Sequence, residues 1–226
     1  METSLHRQLK QLYSTGPDAC EVTINGFRID AVSENRLIEI QYGSLGAIRD
    51  KIRKLVADHD VLVVKPLAAR KYLVRRSRKG GRIVSSRYSP KRETFLDAFL
   101  DLVHFVNVFP HPRLTVELLL TEQEEHRLPQ LKGRWTRRKY RVEDRKLVAV
   151  TDRRMLQTKD DLLTFLPDDL PDTFSTEEIS VRLDIPRWLA QKMAYCLRKT
   201  GAVCPVGKRG NTILYRTFPG RSRRAA

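Results

Sequence analysis

Two closely spaced turn dipeptides constrain this chain more than any other feature of its sequence. Asn25-Gly26 is the strongest short-range signal for a two-residue hairpin, and it separates two runs of alternating apolar and polar residues within 20–32. Glu34-Asn35 opens a second tight turn into Leu37–Tyr42. Two-residue loops fix strand register. Val22, Ile24, Phe27, Ile29, Ala31, Ile38 and Ile40 then share one face, and that face is wholly apolar. A one-residue slip would mix the two faces, so the pattern supports the register.

The same register sets Glu21 opposite Asp30 and Asp30 opposite Glu39, a row of carboxylates across three strands. Directly opposed like charges are destabilising, so the row needs a compensating cation. A hard divalent ion such as Mg²⁺ (or Mn²⁺), held by carboxylate and main-chain oxygens, would supply it and could activate water beside a phosphate. A solvated polar face neutralised by Arg28 is the plainer alternative.

Around the meander the expected order is helix, three antiparallel strands, helix, strand. Leu5, Leu9 and Leu12 mark an N-terminal helix, Leu45, Ile48, Ile52, Leu55 and Val56 a helix over 45–59, and Val61–Val64 a buried strand. A basic hairpin is expected around Lys79-Gly80-Gly81, a helix over 91–106, a strand over 114–120 and a short helix opened by Thr121-x-x-Glu124. Residues 129–155 read as a basic linker with a small hairpin.

With Asp30 on the second strand and Glu39-Ile40-Gln41 on the third, this order resembles the PD-(D/E)xK restriction-endonuclease-like nucleases over about residues 1–66. The resemblance implies an α+β or α/β fold with a mixed sheet flanked by helices. It also implies metal binding by Asp30, Glu39 and the main chain of Ile40, supplemented by Glu21. Gln41 stands where the family usually has Lys; it can orient a water but brings no charge. Lys65 is the candidate for the missing cation, and a lost catalytic function is the other reading. The string Ile38–Gln41 is also similar to the competence-protein CoiA type of motif.

Residues 156–218 resemble a winged helix-turn-helix. Ser175-x-x-Glu178 is a capping box, Pro186 suits the first turn of a third helix, Gly201 suits its C-terminal cap, and a basic-tipped hairpin follows. The third helix would present Arg187, Gln191, Lys192, Arg198 and Lys199 to a major groove, with Lys208 and Arg209 on the wing. Trp188 and Tyr195 are expected in the core. The expected division is 1–128, the linker, 156–218 and a basic tail over 219–226.

Charge fits such a partner. The chain of 226 residues carries a formal net charge of +16. Between Lys65 and Arg92 there are eleven Lys or Arg and no acid. Arg75, Arg76, Arg78, Lys79 and Arg82 there, and Arg137, Arg138 and Lys139 further on, are candidate nucleic-acid contacts. No apolar run reaches membrane-spanning length, and the three cysteines form no C-x-x-C pair, so a reducing cytoplasm, or a bacterial nucleoid, is the expected location. The leading expectation is a Mg²⁺-dependent DNA endonuclease acting on duplex or branched DNA. A non-catalytic DNA-binding regulator or architectural protein, and an RNA-binding factor, stand as alternatives; a homodimer is compatible with each.

Overall fold

The computed structural model describes residues 2–14, 16, 20–130 and 140–217. The chain divides into two compact units. The first, residues 1–42, 59–95 and 117–154, is built on a seven-stranded mixed sheet. Its strands are β1 (Cys20–Ile24), β2 (Phe27–Ser33), β3 (Arg36–Ile40), β4 (Asp60–Arg76), β5 (Ile83–Tyr88), β6 (Leu114–Pro129) and β7 (Tyr140–Leu156). Their order is β1-β2-β3-β4-β6-β7, with β5 paired to β4. β1, β2 and β3 are antiparallel neighbours, whereas β3 and β4 run parallel.

Both tight turns form with left-handed backbone, φ being 51° at Asn25, 76° at Gly26, 48° at Glu34 and 64° at Asn35. That geometry matches the natural twist of paired strands. The register follows: Val22 pairs with Ile29, Cys20 with Ala31, and Ala31 with Ile38.

One helix, α1 (Ser4–Tyr13), fills the face beneath β2 and β3. Leu5 and Leu9 pack into a core of Ala31, Ile38, Ile40, Leu62, Val64 and Leu119, with Leu147 and Val150 of β7 against it. The helix is pinned by side chains as well. Asp144 accepts from the Ser4 N–H at 2.8 Å and the Ser4 hydroxyl at 2.7 Å. The Gln8 amide exchanges hydrogen bonds with both main-chain groups of Leu147, at 3.3 and 2.9 Å. Leu12, expected on the apolar stripe, is 53% exposed.

Three expectations are corrected. Val61–Val64 and the first arm of the basic hairpin are one strand, β4, whose buried stretch over 61–68 resumes at Leu73 and Val74 after a more exposed segment around Arg70. The helix expected after Thr121 is part of β6. Thr121, Gln123 and Glu125 are buried while Glu122 and Glu124 are half-buried, the two-residue period of a strand with polar groups on an inner face. The supposed linker contains β7, whose many charged and mostly half-buried or exposed side chains suit the end of the sheet order.

The second unit, residues 43–58, 96–116 and 155–226, gathers α2 (Arg49–Leu55), α3 (Phe99–Leu102), α4 (Lys159–Leu163), α5 (Thr176–Arg182), α6 (Arg187–Lys199) and the hairpin β8 (Val203–Arg209) with β9 (Thr212–Thr217). Residues 43–58 and 96–116 therefore belong with the C-terminal segment rather than with residues 1–42. Phe99 and Phe165 explain part of this, since they meet edge to face with centroids 5.3 Å apart. Ser175 and Glu178 form the expected capping box on α5. At the end of α6, Gly201 has φ 74°, its N–H reaches the Arg198 carbonyl, and the Ala202 N–H reaches that of Leu197, a Schellman closure. Phe174, ahead of α5, bridges to Tyr215 of β9 through two main-chain hydrogen bonds of 2.9 and 2.7 Å.

Among the described residues no helix is long and apolar enough to cross a membrane. The burial of α1 predicts that Leu9→Ala loses about 2–5 kcal/mol of stability in urea unfolding, whereas Leu12→Ala stays within about 0.5 kcal/mol.

Candidate functional site

Of the three carboxylates expected on one patch, Glu21 and Asp30 are each engaged by groups of the protein itself. Glu21 sits at a left-handed φ of 59°, outside the pairs that flank it. It binds the Lys10 ammonium at 2.6 Å and the Arg28 guanidinium. Asp30 turns to α1: Oδ1 meets His6 Nε2 at 3.0 Å, and Oδ2 accepts the Ile40 N–H at 2.8 Å. The Ile40 main chain thus meets Asp30 through its amide. Glu39 is 8% exposed and aligned with Val63 of β4. Strand alternation with Ile38 and Ile40, which pack beneath α1, directs it to the other side of the sheet.

The counter-charge comes from α1. Lys10 is 5% exposed and lies 2.5 Å from Glu2 and 2.6 Å from Glu21. His6 and Lys10, spaced i and i+4, share the helix face that meets Asp30 and Glu21, and Glu2, just ahead of the N-cap Thr3, joins them. Burial pulls the Lys10 pKa down, but the hydrogen bonds and charges of Glu2 and Glu21 outweigh it and leave it raised. Hydrogen bonds from Lys10 and then Arg28 hold Glu21 down at about 2. Burial favours the neutral form of Asp30, yet His6 and the Ile40 amide prevail and its pKa is lowered. A cleft of about 580 Å³ opens beside this network, lined in part by Arg7, Lys10, Gln11, Cys20 and Glu21.

Glu21 and Asp30 are already engaged by protein groups. Both Asp30 oxygens are engaged, Glu21 is held by two cations, and among the described residues no three of His, Cys, Asp or Glu are grouped to share an ion. Lys65 is 4% exposed and donates to the Tyr42 carbonyl at 3.1 Å. The Gln41 N–H extends the parallel ladder to the Val64 carbonyl at 2.9 Å, and its side chain is half-buried. The sequence reading missed His6 and Lys10 because it weighed α1 by its leucines alone. The i, i+4 spacing was the available signal. It also missed a buried carboxylate on β6, Glu125, which binds Arg127 at 2.7 Å and Arg145 at 2.9 Å with Lys71 at 3.8 Å.

The basic candidates lie elsewhere. Arg75, Arg78, Lys79 and Arg82 are exposed on the β4–β5 ribbon, while Arg76 reaches back to the Gly81 carbonyl at 3.1 Å. In the second unit, Arg187, Gln191, Arg198 and Lys199 are exposed along α6, and Lys192 is half-buried. Lys208 and Arg209 occupy the end of β8, where Arg209 reaches Glu178 of α5 at 3.4 Å. Arg187 and Gln191 line a cleft of about 290 Å³ with Thr176, Asn211 and Thr212. Trp188 and Tyr195, expected in the core, are 51% and 39% exposed. The helix buries Leu189, Met193, Cys196 and Leu197 instead, which turns both aromatic residues outward. Arg137, Arg138, Lys139 and the tail over 219–226 lie outside the described residues.

A protein-family model described as "Domain of unknown function (DUF8091)" matches residues 3–157, from the start of α1 to the residue after β7. The chain belongs to this family. An "Uncharacterized protein" of Treponema pallidum (strain Nichols) is 30% identical over 220 residues, covering 96% of this chain and 86% of the relative. No solved structure matches.

The network has a pH signature. Glu21 titrates lower folded than unfolded, so its contribution is complete above its ordinary value near 4.5 and is lost as pH falls towards 2. Glu21→Gln is expected to flatten that limb of a stability-against-pH curve followed by circular dichroism. Lys10→Met is expected to destabilise the protein at pH 7, since it strands Glu2 and Glu21 without their shared cation.

Proposed function

We propose that this protein is a non-catalytic DNA-binding protein that engages duplex DNA through α6 and the β8–β9 hairpin. The observation that carries the reading is the solvent face of α6. Arg187, Gln191, Arg198 and Lys199 stand there beside the exposed Trp188 and Tyr195, next to a hairpin that ends in Lys208 and Arg209. A helix of this kind fits a major groove, and a basic hairpin beside it fits the adjoining backbone. The sequence of elements supports the geometry. Three helices precede the hairpin, and the single bridge from Phe174 to Tyr215 stands where a winged helix places its first short strand.

The first unit supports a scaffold and backbone-gripping role. Along the chain, α1, the three-strand meander, α2 and the parallel strand β4 follow the order of the restriction-endonuclease-like fold, although α2 falls in the second unit. Glu21 and Asp30, however, are engaged by Lys10, Arg28, His6 and the Ile40 amide, which favours a structural role for them over metal binding. The net charge of +16 favours a polyanion over any neutral partner.

Fluorescence anisotropy with a labelled 30-bp duplex tests the reading. Binding is expected to weaken steeply with salt. The triple substitution Arg187→Ala, Lys192→Ala, Lys199→Ala is expected to cost roughly tenfold or more in affinity, and to reduce the salt slope by about 0.9 for each phosphate contact removed. An unchanged affinity in that variant, or a preference for structured RNA at matched salt, would overturn the assignment. Plasmid kept with the protein and Mg²⁺ or Mn²⁺ should stay supercoiled. Nicking that disappears on Asp30→Asn would restore the catalytic reading.

A further inference from the structure

The β4–β5 ribbon is built in a way that phosphate gripping alone does not require. All six residues of β5 are exposed, so among the described residues this strand is held chiefly by its partner β4. A lone two-stranded ribbon is marginal in water, and this one is braced at its base. The Tyr72 and Tyr88 rings lie 5.0 Å apart, the Arg70 guanidinium sits 4.1 Å above Tyr88, and the Tyr72 hydroxyl bonds Ser86 at 2.8 Å. The tip is equally constrained. Gly80 has φ 68°, and a Cβ on Gly81 would lie 2.7 Å from Ser77 Oγ and 2.8 Å from Arg78 Cγ.

Between base and tip the ladder is interrupted. Arg75 pairs with Ser85, but the next residue, Arg76, pairs with Ile83, so Val84 is an inserted residue. A bulge of this kind re-aims side chains and sharpens the local twist. Here it leaves Ile83 and Val84, two adjacent β-branched side chains, each 54% exposed. Arg78, Lys79 and Arg82 stand just before them in the turn. Exposed apolar neighbours on a braced projection are costly in water and do nothing for the fold.

We propose that Ile83 and Val84 form a wedge that enters a base step of duplex DNA from the minor groove and bends it, while the arginines of the ribbon hold the flanking phosphates. Apolar wedges inserted between base pairs unstack them and kink the duplex by roughly 20–90°. β-Branched side chains suit the task because few rotamers are lost on insertion. Charge complementarity selects the partner. The ribbon carries arginine far more than lysine, and arginine forks match phosphate and enter narrow minor grooves. A lipid surface would be met by larger interfacial anchors such as Trp, Phe or Leu, which the ribbon tip lacks.

The inference rests on the DNA-binding reading, and two signals keep them apart: anisotropy of a labelled duplex reports binding, and energy transfer between dyes at its two ends reports bending. The full chain at saturation is expected to raise transfer efficiency. Ile83→Ser with Val84→Ser, both at exposed positions, is expected to bind within about threefold of the unaltered chain and to leave the duplex straight. Binding without any change in transfer, or a bend that survives the double substitution, overturns the wedge while leaving DNA binding intact. Loss of binding to anionic phosphatidylserine vesicles in the same variant, with its DNA bend unchanged, would assign the pair to a membrane instead.

Discussion

The first unit depends on α1 lying across its sheet with both flanks tied. On one flank, Asp144 takes the first N–H of the helix and the Gln8 amide pairs with the main chain of Leu147. On the other, His6 and Lys10 hold Asp30 and Glu21. Leu5 and Leu9 contribute the apolar burial between these ties. A helix of ten residues would be marginal alone. Tertiary contacts make it permanent, and in turn it lets β2, β3 and β7 serve a single core.

That arrangement explains the fate of the acids. A row of carboxylates across neighbouring strands needs positive charge, and the protein supplies it from its own helix. Lys10 is buried yet charged because two carboxylates share it, an arrangement in which removing the lysine takes the shared cation from both Glu2 and Glu21. The network is thus a structural joint between α1 and the hairpin. In the second unit, by contrast, the basic groups of α6 stay in solvent, which is where a polyanion can reach them.

The meander was legible in the sequence because turn chemistry fixes register locally. Asn25-Gly26 and Glu34-Asn35 adopt the left-handed pairs that such turns demand, and the strand pairs follow from them. The capping box at Ser175 and the Gly201 closure were legible for the same reason. What failed was long-range. The pairs on either side of Glu21 were legible, but Glu21 itself leaves the ladder, and the partners of Glu21 and Asp30, Lys10 and His6, come from a helix whose docking no local pattern encodes. β6 was obscured by its buried Thr121, Gln123 and Glu125, polar side chains that mask the strand period and are satisfied by the Gln123–Thr121 bond and by the cations around Glu125. Trp188 and Tyr195 were placed inward on hydrophobicity alone, although α6 already has enough smaller apolar residues to fill its inner stripe.

β4 has a mechanical consequence. A strand of 17 residues spans roughly 56 Å when extended, and this one begins between β3 and β6 and ends in the free ribbon. Its buried half is clamped from both sides, so the projecting half behaves as a cantilever rather than as a floppy arm. A load at the tip is carried by main-chain hydrogen bonds into the centre of the sheet, and the ribbon can push on what it touches without first having to be ordered.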